Sequence, residues 1–209
     1  MPKLLRIDSS INPDSVSREL TGAFAASWQA AGGSVVHRDV AAQNLPHLPE
    51  FALHFAHRPG IAADDPAAAL QDELIAELEA ADAVVIGAPM YNYSLPSPLK
   101  AWLDYLHVPG RTTADVATEG PLAGKPVIVI TTRGAAYDDP AFLASHDHIL
   151  PVFDVLLGGA MGMAVESIAV DRTLADLLPE LDPALAGELR AAATVRARSR
   201  AEELARTLG

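Results

Sequence analysis

The sequence predicts an α/β protein, a three-layer sandwich in which helices cover both faces of a five-stranded parallel sheet. Three observations carry this expectation. Apolar runs such as Ala83-Val84-Val85-Ile86-Gly87-Ala88-Pro89 and Pro126-Val127-Ile128-Val129-Ile130-Thr131 show no polar alternation, as strands buried on both faces do. Between such runs lie segments whose apolar residues recur at three- and four-residue spacing, the period of an amphipathic helix. Strand and helix alternate, which implies right-handed crossovers and a parallel sheet.

Each element has its own signature. Residues 3–8 read as the first strand, and residues 17–31 as a helix with Leu20, Phe24 and Trp28 on one face, stopped by Gly32-Gly33. A second strand covers residues 34–40. Asp65-Pro66, a capping side chain followed by proline at the first helical position, opens the next helix, whose stripe is Leu70, Leu74, Ile75 and Leu78. The strand ending at Pro89 follows, then a helix capped by Ser97 with Pro98 in its first turn and Leu99, Trp102, Leu103 and Leu106 facing inward. The fourth strand covers residues 126–131. A helix within residues 140–157 is expected to be interrupted at Pro151. Residues 164–170, carrying Glu166 and Ser167, read as an edge strand, and Asp182-Pro183 opens the last helix. Five strands of this kind suit the flavodoxin-like order 2-1-3-4-5, whose chain reversal lies between the first and third strands. The loop after Asp8 then stands beside the loop after Pro89.

The 209 residues, half of them hydrophobic, suit one well-buried core, so a single domain spanning residues 1–209 is expected. Polar residues arrive too early after Met1 for a signal peptide, and no run approaches the roughly 20 apolar residues of a membrane span. Cysteine is absent, which excludes disulfides and thiol chemistry and accords with a cytoplasmic location. A net charge of -12 repels nucleic acid, and the arginines of the last helix, Arg190 to Arg206, are read as a response to its dipole. The connection over residues 41–64 is long for a plain loop and carries Phe51, Leu53 and Phe55; cover by a partner subunit is the preferred reading, a small satellite core the other.

Three loops at strand ends carry the candidate chemistry. After the first strand, Ser10, Ser15, Val16 and Ser17 lead into a helix start, where unpaired N–H groups and the helix dipole seat phosphate; ordinary serine capping is the competing reading. Arg18, which opposes the dipole, favours a bound anion. After the third strand, Met90, Tyr91, Asn92 and Tyr93 offer flat apolar groups and an amide, suited to a planar hydrogen-bonding ring. After the fourth, Thr132, Arg133, Gly134 and Ala135 form a small-residue turn, with Tyr137 beyond it. No dinucleotide fingerprint, nucleoside-triphosphate loop or hydrolase elbow occurs. His54 with His57, and His146 with His148 around Asp147, lack a third ligand at definite spacing, so no metal is expected.

Together these loops resemble the FMN-dependent NADH azoreductases, also described as FMN-dependent NADH:quinone oxidoreductases. The resemblance spans residues 4–168 and rests on Ser9-Ser10 with Ser15-Val16-Ser17, on Ala88-Pro89-Met90-Tyr91-Asn92-Tyr93 followed by Leu99-Lys100, on Asp104, and on Thr132-Arg133-Gly134. It implies a homodimer with one FMN per subunit at the interface. It also implies that Ser10 and Ser15-Val16-Ser17 hold the phosphate, that Met90-Tyr91-Asn92-Tyr93 flank one side of the isoalloxazine, and that Thr132-Arg133-Gly134-Ala135 meet its pyrimidine end. Two departures stand out: Thr132 replaces a serine and Ala135 a glycine, which requires negative φ at Ala135. Arg111-Thr112-Thr113-Ala114-Asp115 stands where relatives carry an aromatic-rich segment.

The implied reaction is a two-electron exchange in which NADH or NADPH reduces the flavin and leaves before a quinone or azo compound is reduced. No side chain is named as catalytic. Tyr137 and Arg58 are candidate substrate contacts, weighed against ordinary surface roles, and the rival function is a flavodoxin-type electron carrier.

Overall fold

The computed structural model of the chain describes residues 1–113 and 120–209. Ala114 and Asp115 of the departing segment therefore lie outside the described residues. The sheet runs β2 (Ser34–Asp39), β1 (Lys3–Asp8), β3 (Ala83–Pro89), β4 (Pro126–Thr132) and β5 (Ala164–Val170), with every neighbouring pair parallel. This is the expected order. All seven residues of the central strand β3 are buried, which accounts for its unbroken apolar character. Asp8 lies opposite Gly87 and Pro89 opposite Thr132, so the loops after β1, β3 and β4 leave the sheet side by side.

One face is covered by α1 (Val16–Ala30) and α6 (Pro183–Leu208). Leu20, Phe24 and Trp28 of α1 are fully buried there, and α6 contributes Ala193, Ala197 and Ala201, whose small side chains allow close approach. The opposite face is covered by α2 (Pro66–Ala80), α3 (Ser97–Leu106) and α5 (Leu150–Phe153), the last continuing as π-helical turns over Asp154–Ala160. Between β4 and α5 lies the short helix α4 (Pro140–His146). Asp65, Asp139 and Asp182 each cap a helix through the side chain, with proline directly after.

Two helix boundaries differ from the sequence expectation. Ser97 is the first residue of α3 and not its cap; Pro96 occupies the cap position, and its carbonyl accepts from the N–H groups of Leu99 and Lys100. Pro151 does not break a helix either. It sits in the first turn of α5, where its missing N–H costs nothing, and the break falls between His146 and Leu150, where the Asp147 carboxylate accepts from the N–H groups of Ile149 and Leu150.

The long connection divides between the two readings offered for it. Leu53, in the 3₁₀ turn Phe51–His54, is fully buried, and the Gln71 amide donates to the Leu53 carbonyl at 2.9 Å. Phe51 is 76% exposed and packs edge-on against Phe55, with ring centroids 5.3 Å apart. Arg58, at positive φ, clamps the connection to α2 by donating to Asp72 at 2.6 and 2.9 Å and to Gln71 at 3.0 Å. Arg111 joins the same carboxylate. The Arg58 hydrogen bond, with Arg111 beside it, lowers the Asp72 pKa to about 2. A depressed carboxylate contributes stability above its ordinary value and loses it as pH falls through the folded value. Amide-exchange protection at Phe55, Arg58 and Ile61 is therefore expected to drop between about pH 4 and pH 2. An Asp72→Asn variant, already unclamped, should show no such step.

Gly33 shows how tightly the α1 face is filled. A Cβ there would stand 2.1 Å from the Trp28 Nε1, and the Trp28 indole is fully buried and donates to the Pro2 carbonyl at 3.3 Å. Gly33→Ala is expected to lower unfolding free energy by about 3 kcal/mol, the upper range for overpacking, because a buried indole has nowhere to turn. Urea denaturation measures this.

Candidate cofactor cleft

The first loop is fixed from beneath by a buried carboxylate. Asp8, wholly excluded from solvent at the end of β1, accepts from the Thr21 hydroxyl at 2.6 Å, lies 2.7 Å from the Arg6 guanidinium and is 2.8 Å from the His37 Nε2. The Ser9 hydroxyl donates to the Gly87 carbonyl at 2.7 Å. Gly87 leaves room there: a Cβ would stand 3.2 Å from the Asp8 carboxylate and 3.1 Å from the Thr21 methyl, so a side chain would press on both.

Above this base, α1 begins with Ser15 as its cap. Its N–H donates to the Asn12 carbonyl at 3.3 Å, and its hydroxyl accepts from the Arg18 N–H at 3.3 Å. Helix geometry leaves the N–H groups of Val16 and Ser17 without an intrahelical acceptor, and none is supplied among the described residues. Ser15 thus satisfies one donor of the helix start, and two N–H groups remain without a partner among the described residues. Arg18 does not support the anion argument drawn from the sequence, because it donates to Asp39 at 2.6 and 3.0 Å and to the Ser10 carbonyl at 2.6 Å. Those bonds raise its pKa, so it remains a cation held by this chain.

The second loop is tied to the first through Tyr91. Its hydroxyl lies 3.0 Å from the Ser10 Oγ and accepts from the Ile11 N–H at 3.1 Å. Tyr91 and Ser94 also exchange two backbone hydrogen bonds across a two-residue turn in which Asn92 and Tyr93 both have positive φ, 49° and 68°. Such a turn favours Asn-Gly, and tyrosine in its second position is strained. The Met90 N–H donates to the Thr132 carbonyl at 2.8 Å, joining the second loop to the third.

These ties enclose a cleft of about 480 Å³. Ser10, Ser15, Val16, Met90, Tyr91, Thr132 and Gly134 lie on its wall. Ser17 is buried behind Ser15, with the two hydroxyl oxygens 3.2 Å apart. Asn92 and Tyr93 form the outer turn, with Tyr93 52% exposed and its ring against His146. Ala135 is exposed, its backbone is outside the positive-φ region, and its carbonyl accepts from the Arg172 N–H at 2.9 Å. The methyl in place of a glycine is thereby accommodated.

Arg133 lies elsewhere than on the wall. It is 4% exposed, donates to Asp147 at 2.5 Å and Asp171 at 3.1 Å, and its guanidinium stands 5.0 Å from the centroid of the Tyr137 ring. Tyr137 is buried beneath Met90, whose sulfur accepts from its hydroxyl at 3.0 Å; it is not a surface residue. Burial raises the Tyr137 pKa, which keeps the hydroxyl protonated as a donor. Arg58 does not reach the cleft; its guanidinium is taken by Asp72 and Gln71.

Sequence reasoning missed a fourth wall. Thr173, Leu174, Asp176 and Leu177, from the segment after β5, and Arg190 of α6 line the same cleft. Backbone bonds from Thr173 N–H to the Arg133 carbonyl and from Leu174 N–H to the Gly134 carbonyl attach this segment to the third loop. Leu174 occupies the space a side chain at Gly134 would need, 2.7 Å from its Cβ position. The signal available was the group Leu174, Leu177 and Leu178, apolar residues at helical spacing in a short segment that forms turns instead of a helix.

A family model described as a flavodoxin-like fold matches residues 2–197. The chain belongs to this family. A protein of Kineococcus radiotolerans named FMN-dependent NADH:quinone oxidoreductase is 46% identical to it over 218 aligned residues, covering 100% of both chains. A Streptomyces avermitilis protein of the same name is 41% identical over 98% of each. Among solved structures, an azoreductase from Bacillus anthracis str. Sterne superposes with a TM-score of 0.79 at 25% identity, over 97% of this chain and 100% of that one. As flavodoxin-like sheets do, this one places its cleft at the carboxyl ends of β1 and β3, where the strand order reverses.

The cleft suits a flavin nucleotide. Two free N–H groups and the hydroxyls of Ser10 and Ser15 are neutral donors that suit a phosphate, and Met90 and Tyr91 add apolar surface that suits a ring.

Proposed function

We propose that this protein is an FMN-dependent NAD(P)H oxidoreductase that reduces quinones and azo compounds by two electrons. The observation that carries the reading is the joining of the first and second loops by the Tyr91 hydroxyl, which sets the free donors of α1 and the Met90 wall in one cleft. When bound, FMN supplies the chemistry of accepting hydride and passing on electrons. The chain's own work is to bind and orient. Ser10, Ser15 and the amides of Val16 and Ser17 would hold the phosphate, and Met90, Tyr91, Thr132 and Gly134 would border the ring. Met90 is pinned by the Tyr137 hydroxyl and by its own N–H, so the wall is set before a ligand arrives.

The names of the relatives favour an enzyme over an electron carrier. The single-domain organisation and cytoplasmic location are part of the same proposal. Among the described residues, no helix is long and apolar enough to cross a membrane. A homodimer is proposed from the exposed Phe51 and Phe55, which a second copy would cover; a monomer at micromolar concentration in sedimentation would refute it.

The deciding test is to load the purified protein with FMN and add NADH, then NADPH, without oxygen. Binding of FMN, bleaching of its visible band by at least one donor and recovery of the band with a quinone are expected. Failure to take up FMN, or a loaded protein inert to both donors, would defeat the proposal.

A further inference from the structure

We infer that Arg133 is a positioning residue that acts on the cofactor cleft from behind, through Tyr137 onto Met90. This rests on the proposal that the cleft binds FMN. The resemblance places Arg133 at the ring, whereas its guanidinium is buried and turned inward between Asp147 and Asp171. A buried cation is stable only when paired, and this one has a partner from each of two segments outside its own loop. Asp147 belongs to the junction between α4 and α5, where its other oxygen caps α5; Asp171 is the residue directly after β5.

Two carboxylates therefore fix the guanidinium in place, and the guanidinium fixes the ring of Tyr137 at cation–π distance. Fixed this way, the Tyr137 hydroxyl is directed at the Met90 sulfur, 3.0 Å away. Met90 is the last link, because it lies on the cleft wall while Arg133 and Tyr137 do not. The path is contiguous and each step is a contact. Lysine at 133 would not reproduce it, since a point charge cannot grip two carboxylates and stack on a ring. Burial raises the Asp171 carboxyl above the ordinary range and Arg133 opposes this, so the ion pair itself is held in a partly desolvated setting.

Removing Arg133 would leave two carboxylates unpaired and endanger folding, so milder variants carry the test. Tyr137→Phe deletes only the hydroxyl, and Asp171→Asn loosens one arm of the guanidinium. Each is made alone and the two are combined, with thermal midpoints recorded and the FMN dissociation constant measured by quenching of flavin fluorescence on titration into stripped protein. Each single variant is expected to weaken FMN binding by about threefold to tenfold, the worth of one hydrogen bond. Asp171→Asn in the Tyr137→Phe background should add less than about twofold, because its route to the cleft is already cut. The position of the bound flavin's visible band should shift alike in both single variants.

Wild-type binding with unaltered affinity in both single variants would overturn the inference while leaving the flavin reading intact. So would full additivity in the double variant, which would mark Asp171 as a general structural support. Failure of the wild type to bind FMN would remove the inference together with the reading beneath it.

Discussion

Ser15→Asp is expected to abolish FMN binding while leaving the fold and the affinity for riboflavin nearly unchanged. Aspartate is as good a helix cap as serine, so α1 keeps its first turn. The cap position, however, faces the proposed phosphate seat, bordered by the free N–H groups of Val16 and Ser17. A carboxylate about 4 Å from a phosphate charge is repelled by about 4 kcal/mol at the effective dielectric of a protein surface. Loss of a charge-assisted hydrogen bond from the hydroxyl adds to this. Affinity should fall by about a thousandfold or more. Riboflavin, which lacks the phosphate, serves as the control ligand: an equal loss for both flavins would mean the seat lies elsewhere, and an unchanged FMN affinity would mean that no phosphate binds at α1.

Asp8→Ala is expected to be the most damaging single change to stability, about 3 to 5 kcal/mol, because it strips a buried charge from partners that remain. The Arg6 guanidinium, the Thr21 hydroxyl and the His37 ring all converge on that carboxylate. The total stability of a domain is only about 5 to 15 kcal/mol, so the variant should sit close to its unfolding transition at ambient temperature. Asp8→Asn separates the contributions, since it keeps an acceptor for Thr21 and gives up the charge opposite Arg6. Urea midpoints at constant slope measure both. A loss under about 1 kcal/mol for the alanine variant would show that the network is not the foundation of the first loop.

Much of the architecture was legible because it is written in local patterns. The bounds of β1 and β5 and the caps at Asp65 and Asp182 follow from apolar runs and from aspartate-proline pairs, which need no distant partner. What failed depends on partners far away in sequence. Ser97 looked like a cap, but capping depends on backbone angles that residue type does not announce. Arg18 looked like a sign of a nearby anion because Asp39, which holds it, lies 21 positions further on. Arg133 looked like a ring contact for the same reason: Asp147 and Asp171 stand 14 and 38 positions away. The wall formed by Leu174 and Leu177 left an apolar signal but no placement, because only β5 lying beside β4 brings the segment to the cleft.

The turn at Asn92-Tyr93 sets a boundary for anyone who would harden this protein by directed evolution. Glycine in place of Tyr93 would relax the left-handed backbone there, and a selection scored on melting temperature alone would find that exchange and keep it. The same exchange would remove the ring packed against His146, in the turn that directly follows Met90 and Tyr91 of the cleft wall. Heat tolerance and turnover would then drift apart at a single codon.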